Sequence, residues 1–344
     1  FQSPLIHTNP LPPRRPPPPA APAGRGAAAP GPPGRPPAPA PPAPGGSWSF
    51  TDDRGSTVRA DGIPSRIVAF GGSAGLLADY GLQDRVVGVF GEAVTPTGQA
   101  SALAGDLDVG KVTVLGNNWG DFNLEKYASL EPDLLITDEY VPDRLWYVPD
   151  SSKDKILAIN PNVVAVRIAR KTLPQLITRY GELATALGAD LNAPRPAQAK
   201  ARFDAAVQAV RDALAQRPGL RVLAASAAPG IFYVSDPRVS ADLSYFAELG
   251  VDMVVPDNVA GDGFFEELSW ERTDKYPADL ILLDRRAAAL SLDALNANPV
   301  WRSLPAVRAG QVADWQPVFR FSHAGAAPLL EDLAAAIRRS AKVS

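Results

Sequence analysis

Apolar residues in this chain come in short runs that alternate with helical stretches. The runs at 66–70, 86–90 and 133–137 are mostly apolar and are bounded by turn residues. Such runs are typical of strands buried on both faces of a parallel sheet. The same alternation starts again at residue 221. The pattern therefore predicts an α/β fold built from two α/β halves.

Two helical segments separate these halves. Residues 172–187 place apolar side chains on a 3.6-residue period, with Gly188 as the stop. Residues 197–216 form a longer, alanine-rich segment with one apolar stripe, ended by Pro218-Gly219. The division of the chain predicted from this pattern is a first lobe at 48–171, a helical connector at 172–217 and a second lobe at 218–344.

Composition separates residues 1–47 from the rest. This stretch holds 18 of the 36 prolines, four arginines and no acidic residue, so it carries +4 and the remainder −7, giving the net charge of −3. It has too few large apolar side chains to offset the entropy of ordering, so we expect a disordered or polyproline-II tail. The remaining roughly 300 residues are enough for a core split between two lobes.

Residue content also excludes several classes of site. The chain has no cysteine and only two histidines, which excludes disulfides, thiolate nucleophiles and Fe–S clusters and leaves too few ligands for a histidine-rich metal site. No apolar run reaches the about 18 residues that span a bilayer. The N-terminus shows neither a signal-peptide pattern nor a lipid-acceptor cysteine. The mildly acidic body gives no reason to expect nucleic-acid binding.

The stretch Gly71-Gly-Ser73-Ala-Gly75 fits the nucleophile-elbow pattern between a strand and a helix. Asp284 and His323 follow in the order Ser, Asp, His, so an α/β hydrolase using Ser73 and His323 is kept as an alternative. An elbow normally follows several strands, whereas here little more than the tail precedes it. The favoured interpretation is a glycine-permitted tight turn whose helix N-terminus offers amide donors to a ligand or to Ser73.

Aromatic residues and arginines gather at strand ends and in loops, away from helical stripes. Open α/β sheets bind ligands at the carboxyl ends of their strands. Aromatic walls suit a bulky planar or apolar-rimmed ligand, and arginines supply donors for carboxylate or metal-bound oxygens. The residues predicted to bind the ligand are Trp119, Tyr140, Arg170, Tyr233, Phe264, Phe265, Arg285, Trp315, Phe319, Arg320, Phe321 and His323.

A weak internal echo links the two halves. Asn123-Leu124-Glu125 brings its carboxylate eight residues before Asp133, and Ser269-Trp270-Glu271 brings its carboxylate eight residues before Asp279. In each case a capping residue opens a predicted helix with an acid in its first turn. Helix chemistry alone accounts for such a pattern.

Several segments of the chain, taken in their order along the sequence, resemble those of class III periplasmic-type substrate-binding proteins. This is the iron–siderophore and cobalamin group that serves ABC importers. The resemblance covers residues 50–340. It rests on Phe50-Thr-Asp-Asp-Arg-Gly, Pro64-Ser-Arg-Ile-Val-Ala, Asp84-Arg-Val-Val-Gly-Val, Asn123-Leu-Glu through Pro132-Asp-Leu-Leu-Ile, Tyr180 to Gly188, Tyr245-Phe-Ala-Glu-Leu-Gly, Asn298-Pro-Val-Trp through Val307-Arg-Ala-Gly, and Ser322 to Leu330.

The resemblance implies a fold of two Rossmann-like lobes with parallel sheets, joined by a long connecting helix that residues 197–216 match. It implies a protein without enzymatic activity that captures a ferric siderophore of the hydroxamate type in the cleft between its lobes. Since the siderophore fills the coordination sphere of the iron, neither an intrinsic cofactor nor a metal-ligand set is expected. Cobalamin or haem is the alternative ligand within the same fold.

The resemblance also implies a partner and a location. In this family one surface glutamate per lobe docks on the permease of the importer, and Glu125 and Glu271 match those positions. The expected location is extracytoplasmic, at the cell surface and peripheral to the membrane.

Overall fold

The computed structural model describes residues 46–259, 261, 263–286 and 289–344. Most of the predicted tail at 1–47 therefore lies outside the described residues. The described chain opens with an antiparallel hairpin of β1 (Trp48–Thr51) and β2 (Thr57–Ala60). The carboxylate of Asp52 accepts hydrogen bonds from the backbone N–H of Arg54 at 3.0 Å and of Ala165 at 3.0 Å. This side chain closes the hairpin and contributes to its attachment to the first lobe.

The first lobe is built on a sheet that is parallel throughout its described strands. Most of these strands are buried on both faces, as the sequence pattern predicts. The edge strand at Thr113–Gly116 is largely half-buried. The strands are β3 (Ile67–Phe70), β4 (Val86–Phe90), β5 (Thr113–Gly116), β6 (Leu134–Glu139) and β7 (Val163–Arg167), in the order β5-β4-β3-β6-β7. The accompanying helices are α1 (Gly71–Asp79), α2 (Leu124–Ser129) and α3 (Lys153–Ile159).

Helix α1 begins at Gly71, directly after β3, so the predicted tight turn over Gly71–Gly75 is wrong. The glycines serve close packing instead. A Cβ atom on Gly71 would lie 2.3 Å from the carbonyl oxygen of Gly91, a distance at which real Cβ atoms are essentially never found. Ser73 is likewise buried inside the helix rather than exposed at a turn.

Two helices form the connector. Helix α4 (Leu173–Ala186) starts with a capping box, in which the side chain of Gln175 accepts from the backbone N–H of Thr172 at 2.9 Å. Helix α5 (Pro194–Gln216) has 23 residues and is therefore about 34 Å long. It starts three residues before the predicted position, because prolines are tolerated in a first helical turn. The prediction of a long connecting helix is confirmed.

The second lobe contains a mixed sheet. Its strands are β8 (Arg221–Ala228), β9 (Ile231–Ser235), β10 (Asp252–Met253), β11 (Phe265–Ser269), β12 (Leu280–Asp284) and β13 (Val312–Trp315). The order is β11-β9-β8-β12-β13, with β10 also paired to β8. Strands β10, β12 and β13 continue the parallel pairing, as predicted, whereas β9 is antiparallel to both β8 and β11. Only Pro229-Gly230 separates β8 from β9, and so short a connection forces a hairpin.

The remaining helices of the second lobe are short except for the last. They are α6 (Ala241–Glu248), α7 (Leu292–Leu295), α8 (Pro299–Ser303), α9 (Pro305–Arg308) and α10 (His323–Arg339). The helix predicted to open at Ser269 is only a 3₁₀ turn, Trp270–Arg272. Pro277 lies a few residues beyond it, and a proline disfavours helical backbone in the residue before it.

Helix α10 packs along α5, and Arg202 on α5 forms a bidentate pair with Glu331 on α10 at 2.7 and 2.8 Å. None of the helices in the described ranges combines the length and apolar character needed to span a bilayer.

A buried hydrogen-bond chain ties the first sheet to α4. The hydroxyl of Tyr180 on α4 donates to Asp138 on β6, and it lies 3.1 Å from the hydroxyl of Ser73 on α1. Burial raises the pKa of Asp138 to about 7, and the bond from Tyr180 only partly opposes this rise. The folded state therefore favours the protonated carboxyl.

We expect the Asp138→Asn variant to lose part of the pH dependence of stability. Because the pKa of Asp138 is raised on folding, its contribution is full below the pKa of the unfolded chain, about 3.9, and is lost as the pH rises through about 7. The loss is at most a few kcal/mol, at about 1.4 kcal/mol per pKa unit. Thermal unfolding between pH 5 and pH 8 should show a steeper fall for the wild type than for the variant. Equal slopes would contradict the assignment.

Candidate ligand site between the two lobes

The carboxyl ends of the strands carry the polar and aromatic residues of the molecule. Tyr140 directly follows β6, Arg286 lies two residues after β12, and Trp315 ends β13. Phe264 directly precedes β11. Tyr140, Trp315 and Phe264 all line pockets between the lobes, where open α/β sheets bind ligands.

The larger pocket of this cleft has a volume of about 280 Å³ and is walled by aromatic rings from both lobes. Trp119, Tyr140, Trp146 and Tyr147 come from the first lobe and Phe264 from the second. The ring centroids of Tyr140 and Trp146 lie 4.5 Å apart, and those of Tyr140 and Phe264 lie 6.4 Å apart across the cleft. Trp119 is 42% exposed at the rim, with its ring edge-on to both Trp146 and Tyr147. This arrangement is a ready surface for a bulky ligand.

A smaller pocket of about 50 Å³ continues from the larger one and shares Tyr140 and Phe264 with it. Its indole, Trp315, donates from Nε1 to Asp242 Oδ2 at 2.8 Å. Burial raises the pKa of Asp242 to about 6, and the bond from Trp315 opposes the rise. The other aromatic residues that line this pocket are Phe265, Phe319 and Phe321.

A buried polar cluster lies beside the pockets. Arg286 is held by Asp284 through two bonds, Nε to Oδ1 at 3.0 Å and Nη2 to Oδ2 at 2.8 Å. Across the cleft, burial raises the pKa of Glu92, while the charge of Arg286 and a hydrogen bond with Tyr147 oppose the rise. Glu92 and Tyr147 have φ angles of 51° and 60°. Left-handed backbone at two non-glycine residues of one cluster is typical of functional sites.

Two of the three arginines predicted for the site line a different groove. Arg285 pairs with Asp314 at 2.8 Å, and it lines a separate groove of about 650 Å³ on the other side of residues 315–320. Arg320 lines the same groove, and its guanidinium is occupied by Asp79. Arg170 is exposed, with its backbone N–H donating to the carbonyl of Val239 at 3.1 Å.

The arginine buried at the cleft is Arg286, the neighbour of the predicted Arg285. The spacing Asp284-x-Arg286 was the available signal, since residues two apart on extended chain lie on the same side. Trp146, Tyr147, Glu92 and Asp242 were also outside the predicted set. Tryptophan and tyrosine in the loop after β6 are visible as part of the aromatic excess, but Glu92 and Asp242 carry no signal in the sequence.

Two further predicted residues lie away from both pockets. Tyr233 is 2% exposed and packs edge-on against Phe265, with ring centroids 5.0 Å apart; burial raises its pKa to about 12. His323 opens α10, and its ring lies 5.0 Å from that of Phe203 on α5. Burial, with the charge of Lys200, lowers the pKa of His323. Their roles as ligand contacts, like those of the whole predicted set, stay predictions.

The three residues of the alternative hydrolase have different partners. Ser73 is hydrogen-bonded to Tyr180, Asp284 holds Arg286, and His323 packs on Phe203. The contacts of the described residues thus form no Ser–His–Asp relay. In the same part of the chain, no group of three or more His, Cys, Asp or Glu side chains could hold a metal ion.

The two predicted docking acids are both exposed and both follow the carboxyl end of a strand. Glu125 lies in the first turn of α2, where Asn123 Oδ1 accepts from the N–H of Lys126 at 2.9 Å. Glu271 lies in the turn that follows β11. Asn123 is therefore a helix cap, as its residue type indicates, while docking by either glutamate stays a prediction.

Comparison with known proteins identifies related chains. A family model described as periplasmic binding protein matches residues 67–318. The crystal structure of DesE, a ferric-siderophore receptor protein from Streptomyces coelicolor, is 48% identical, with coverage of 86% of this chain and 100% of that chain and a TM-score of 0.81. FhuD from Vibrio cholerae, solved with Fe³⁺–Desferal, shares the fold at 19% identity, 80% and 97% coverage and a TM-score of 0.57.

One curated relative, the Fe(3+)-citrate-binding protein YfmC of Bacillus subtilis, is 22% identical over 192 residues. The alignment spans 56% of this chain and 56% of that protein, little more than half of each.

We expect Ser73→Ala to change stability and not chemistry. Loss of the bond to Tyr180 should lower the free energy of unfolding by about 1 kcal/mol, measured by urea denaturation. Ester hydrolysis by the purified protein should be at background for the wild type and for the variant alike. The exposed Ser56→Ala is the control for both measurements. A hydrolytic activity that Ser73→Ala abolishes would contradict the structural role and restore the hydrolase.

Proposed function

The chain belongs to the periplasmic binding protein family, in the class III group of iron–siderophore importers, and from this we propose that it captures a ferric hydroxamate siderophore. Capture takes place in the cleft between the lobes, and the chelate is then delivered to the permease of an ABC importer. The observation that carries the proposal is the aromatic-walled pocket shared by both lobes, in a chain 48% identical to a ferric-siderophore receptor. The named relatives are receptors or binding proteins, which supports a role without catalysis.

The charge of the cleft favours a chelate of the hydroxamate type. Among the described residues that line the two pockets, the charged ones are Arg144, Asp150 and Asp242. A ferric triscatecholate is a strong anion and would need several unpaired arginines or lysines. A ferric trishydroxamate is close to neutral and presents apolar methylene chains, which suit the walls of Tyr140 and Trp146. Ferric citrate is the competing candidate ligand, because the relative YfmC is an Fe(3+)-citrate-binding protein.

Delivery would use two exposed acids, one on each lobe. Glu125 and Glu271 are both exposed, and neither has an ion-pair partner among the described residues. Two separated carboxylates on a bilobal protein can recognise paired basic groups on a membrane partner and hold both lobes in register with it. The proposed location is extracytoplasmic, at the cell surface, in contact with the permease.

The first prediction from this proposal concerns ligand binding. A ferrioxamine-type chelate should quench the fluorescence of Trp119 and Trp146 at micromolar concentration or below, and Tyr140→Ala should weaken binding about tenfold or more, because the ring joins both pockets. Tyr245→Ala, which removes a half-buried tyrosine on α6 that lines neither pocket, is the matched control. Ferric triscatecholate, ferric citrate, haem and cobalamin serve as competitors.

Two results would contradict this prediction. The first is binding of haem or cobalamin, visible in the absorption spectrum of the complex, with no response to any ferric chelate. This result would favour haem or cobalamin as the ligand. Equal losses in Tyr140→Ala and Tyr245→Ala would show that the pockets are not the binding site.

The second prediction concerns delivery. In cells carrying the cognate importer, the double variant Glu125→Ala/Glu271→Ala should lose most iron uptake, because the permease then lacks both carboxylates. The affinity of the purified variant for the chelate should stay within about twofold of the wild type, since both acids lie outside the pockets.

The control for delivery removes the same charge elsewhere. Asp61→Ala/Glu248→Ala removes two other exposed acids and should leave uptake unchanged. Weaker chelate binding in the Glu125/Glu271 variant would assign these acids to the ligand site, and normal uptake would remove them from the docking surface.

A further inference from the structure

Arg320 crosses from the second lobe into the first. It lies in the segment 316–322 between β13 and α10, and its Nε forms an ion pair with Asp79 Oδ2 on α1 at 2.8 Å. Its Nη1 donates to the carbonyl of Ala102 at 2.9 Å, and Ser322 Oγ donates to the same Asp79 oxygen at 2.6 Å. The Asp79 and Arg320 side chains are 3% and 12% exposed. Both hydrogen bonds described for the Asp79 carboxylate therefore come from the second lobe.

Missing side chains form the slot that holds this arginine. A Cβ on Gly75 would lie 2.6 Å from Arg320 Cδ, and a Cβ on Gly105 would lie 2.4 Å from Arg320 Cζ. A Cβ on Gly325 would lie 2.5 Å from Arg320 Cβ. Three glycines from α1, from the loop before β5 and from α10 thus leave room for one guanidinium and its stem. The slot therefore matches the shape of the arginine side chain, which an exposed surface ion pair would not require.

The two neighbours of Arg320 in the chain are part of the ligand cleft. Phe319 and Phe321 both line the smaller pocket, and their ring centroids lie 5.0 Å apart. Phe321 also stacks on Tyr180 at 6.0 Å, next to the buried chain of Tyr180 and Asp138. Because Arg320 is anchored between them, its position fixes where both rings stand.

We propose that Arg320 and Asp79 form an interlobe clasp that positions the cleft wall for the ligand, without touching the ligand. The clasp holds the segment 316–322 against the first lobe and so sets Phe319 and Phe321 in binding geometry before the chelate arrives. This inference rests on the proposed function of the cleft. It replaces the predicted role of Arg320 as a direct ligand contact with that of a positioning residue.

The clasp and a direct contact predict different effects on chelate binding when Asp79 is removed. If Arg320 touched the chelate, removal of Asp79 would leave the arginine in place or free it to bind better. If the pair acts as a clasp, Arg320→Met and Asp79→Leu should weaken ferrioxamine binding equally, by about tenfold. The double variant should bind no worse than either single variant, because both changes break one contact.

Stability separates positioning from general damage to the fold. Each single variant leaves one buried partner uncompensated and should lower Tm. The double variant replaces the pair with apolar side chains and should recover much of that Tm, while its chelate affinity stays about tenfold below the wild type. Arg202→Met, which breaks the exposed pair with Glu331 between α5 and α10, is the control and should leave affinity unchanged.

Hydrogen exchange on the ligand-free protein tests the clasp even if no chelate binds. Amides of residues 100–106 and 316–322 should exchange faster in both single variants, and in the double variant, than in the wild type. Faster exchange with no chelate binding by the wild type would keep the clasp and refute the proposed function. Unchanged exchange, wild-type affinity of Asp79→Leu, or additive losses in the double variant would each refute the clasp.

Discussion

The packing of α10 along α5 is the contact on which the cleft depends. The two walls of the cleft come from different sheets, so their separation is set by whatever fixes one lobe against the other. Helix α5 connects the lobes as a stiff rod, and α10 returns along it immediately after the segment that carries Phe319 and Phe321. A rigid connection of this kind favours a cleft that is formed before the ligand arrives, which reduces the entropy lost on binding.

Much of the fold is predictable because its strands are buried on both faces. Strands β3 and β4 are apolar throughout and β12 is apolar up to Asp284, and an apolar run between turn residues is a strong signal. Strand β11 lacks that signal because it contains Glu266, which is buried and bonded to Lys275 and Tyr276. Its charge is acceptable only in a tertiary context that the sequence does not display. The sequence accordingly predicts a helix that opens at Ser269 and no strand before it.

The candidate site is predictable in its chemistry and much less so in its membership. Aromatic residues at strand ends were expected to face the cleft, and Tyr140, Phe264 and Phe319 do line it. The arginines were harder to predict, because Arg285 and Arg320 are placed by acids from other parts of the chain. Arg285 forms an ion pair with Asp314, whereas Arg286, the next residue, forms one with Asp284. On extended backbone a step of one residue reverses the side that a side chain faces.

The glycine-rich stretch at the start of α1 shows how one motif can serve packing in two places at once. Gly71 and Gly75 are four residues apart and therefore lie on one face of the helix. At Gly71 that face meets the carbonyl of Gly91, and Gly91 in turn leaves room for the ring of Tyr147 in the larger pocket. One turn later, Gly75 leaves room for the stem of Arg320. The spacing that resembles a nucleophile elbow is thus explained by volume: a side chain at either glycine would displace the cleft wall or the arginine that anchors its other side.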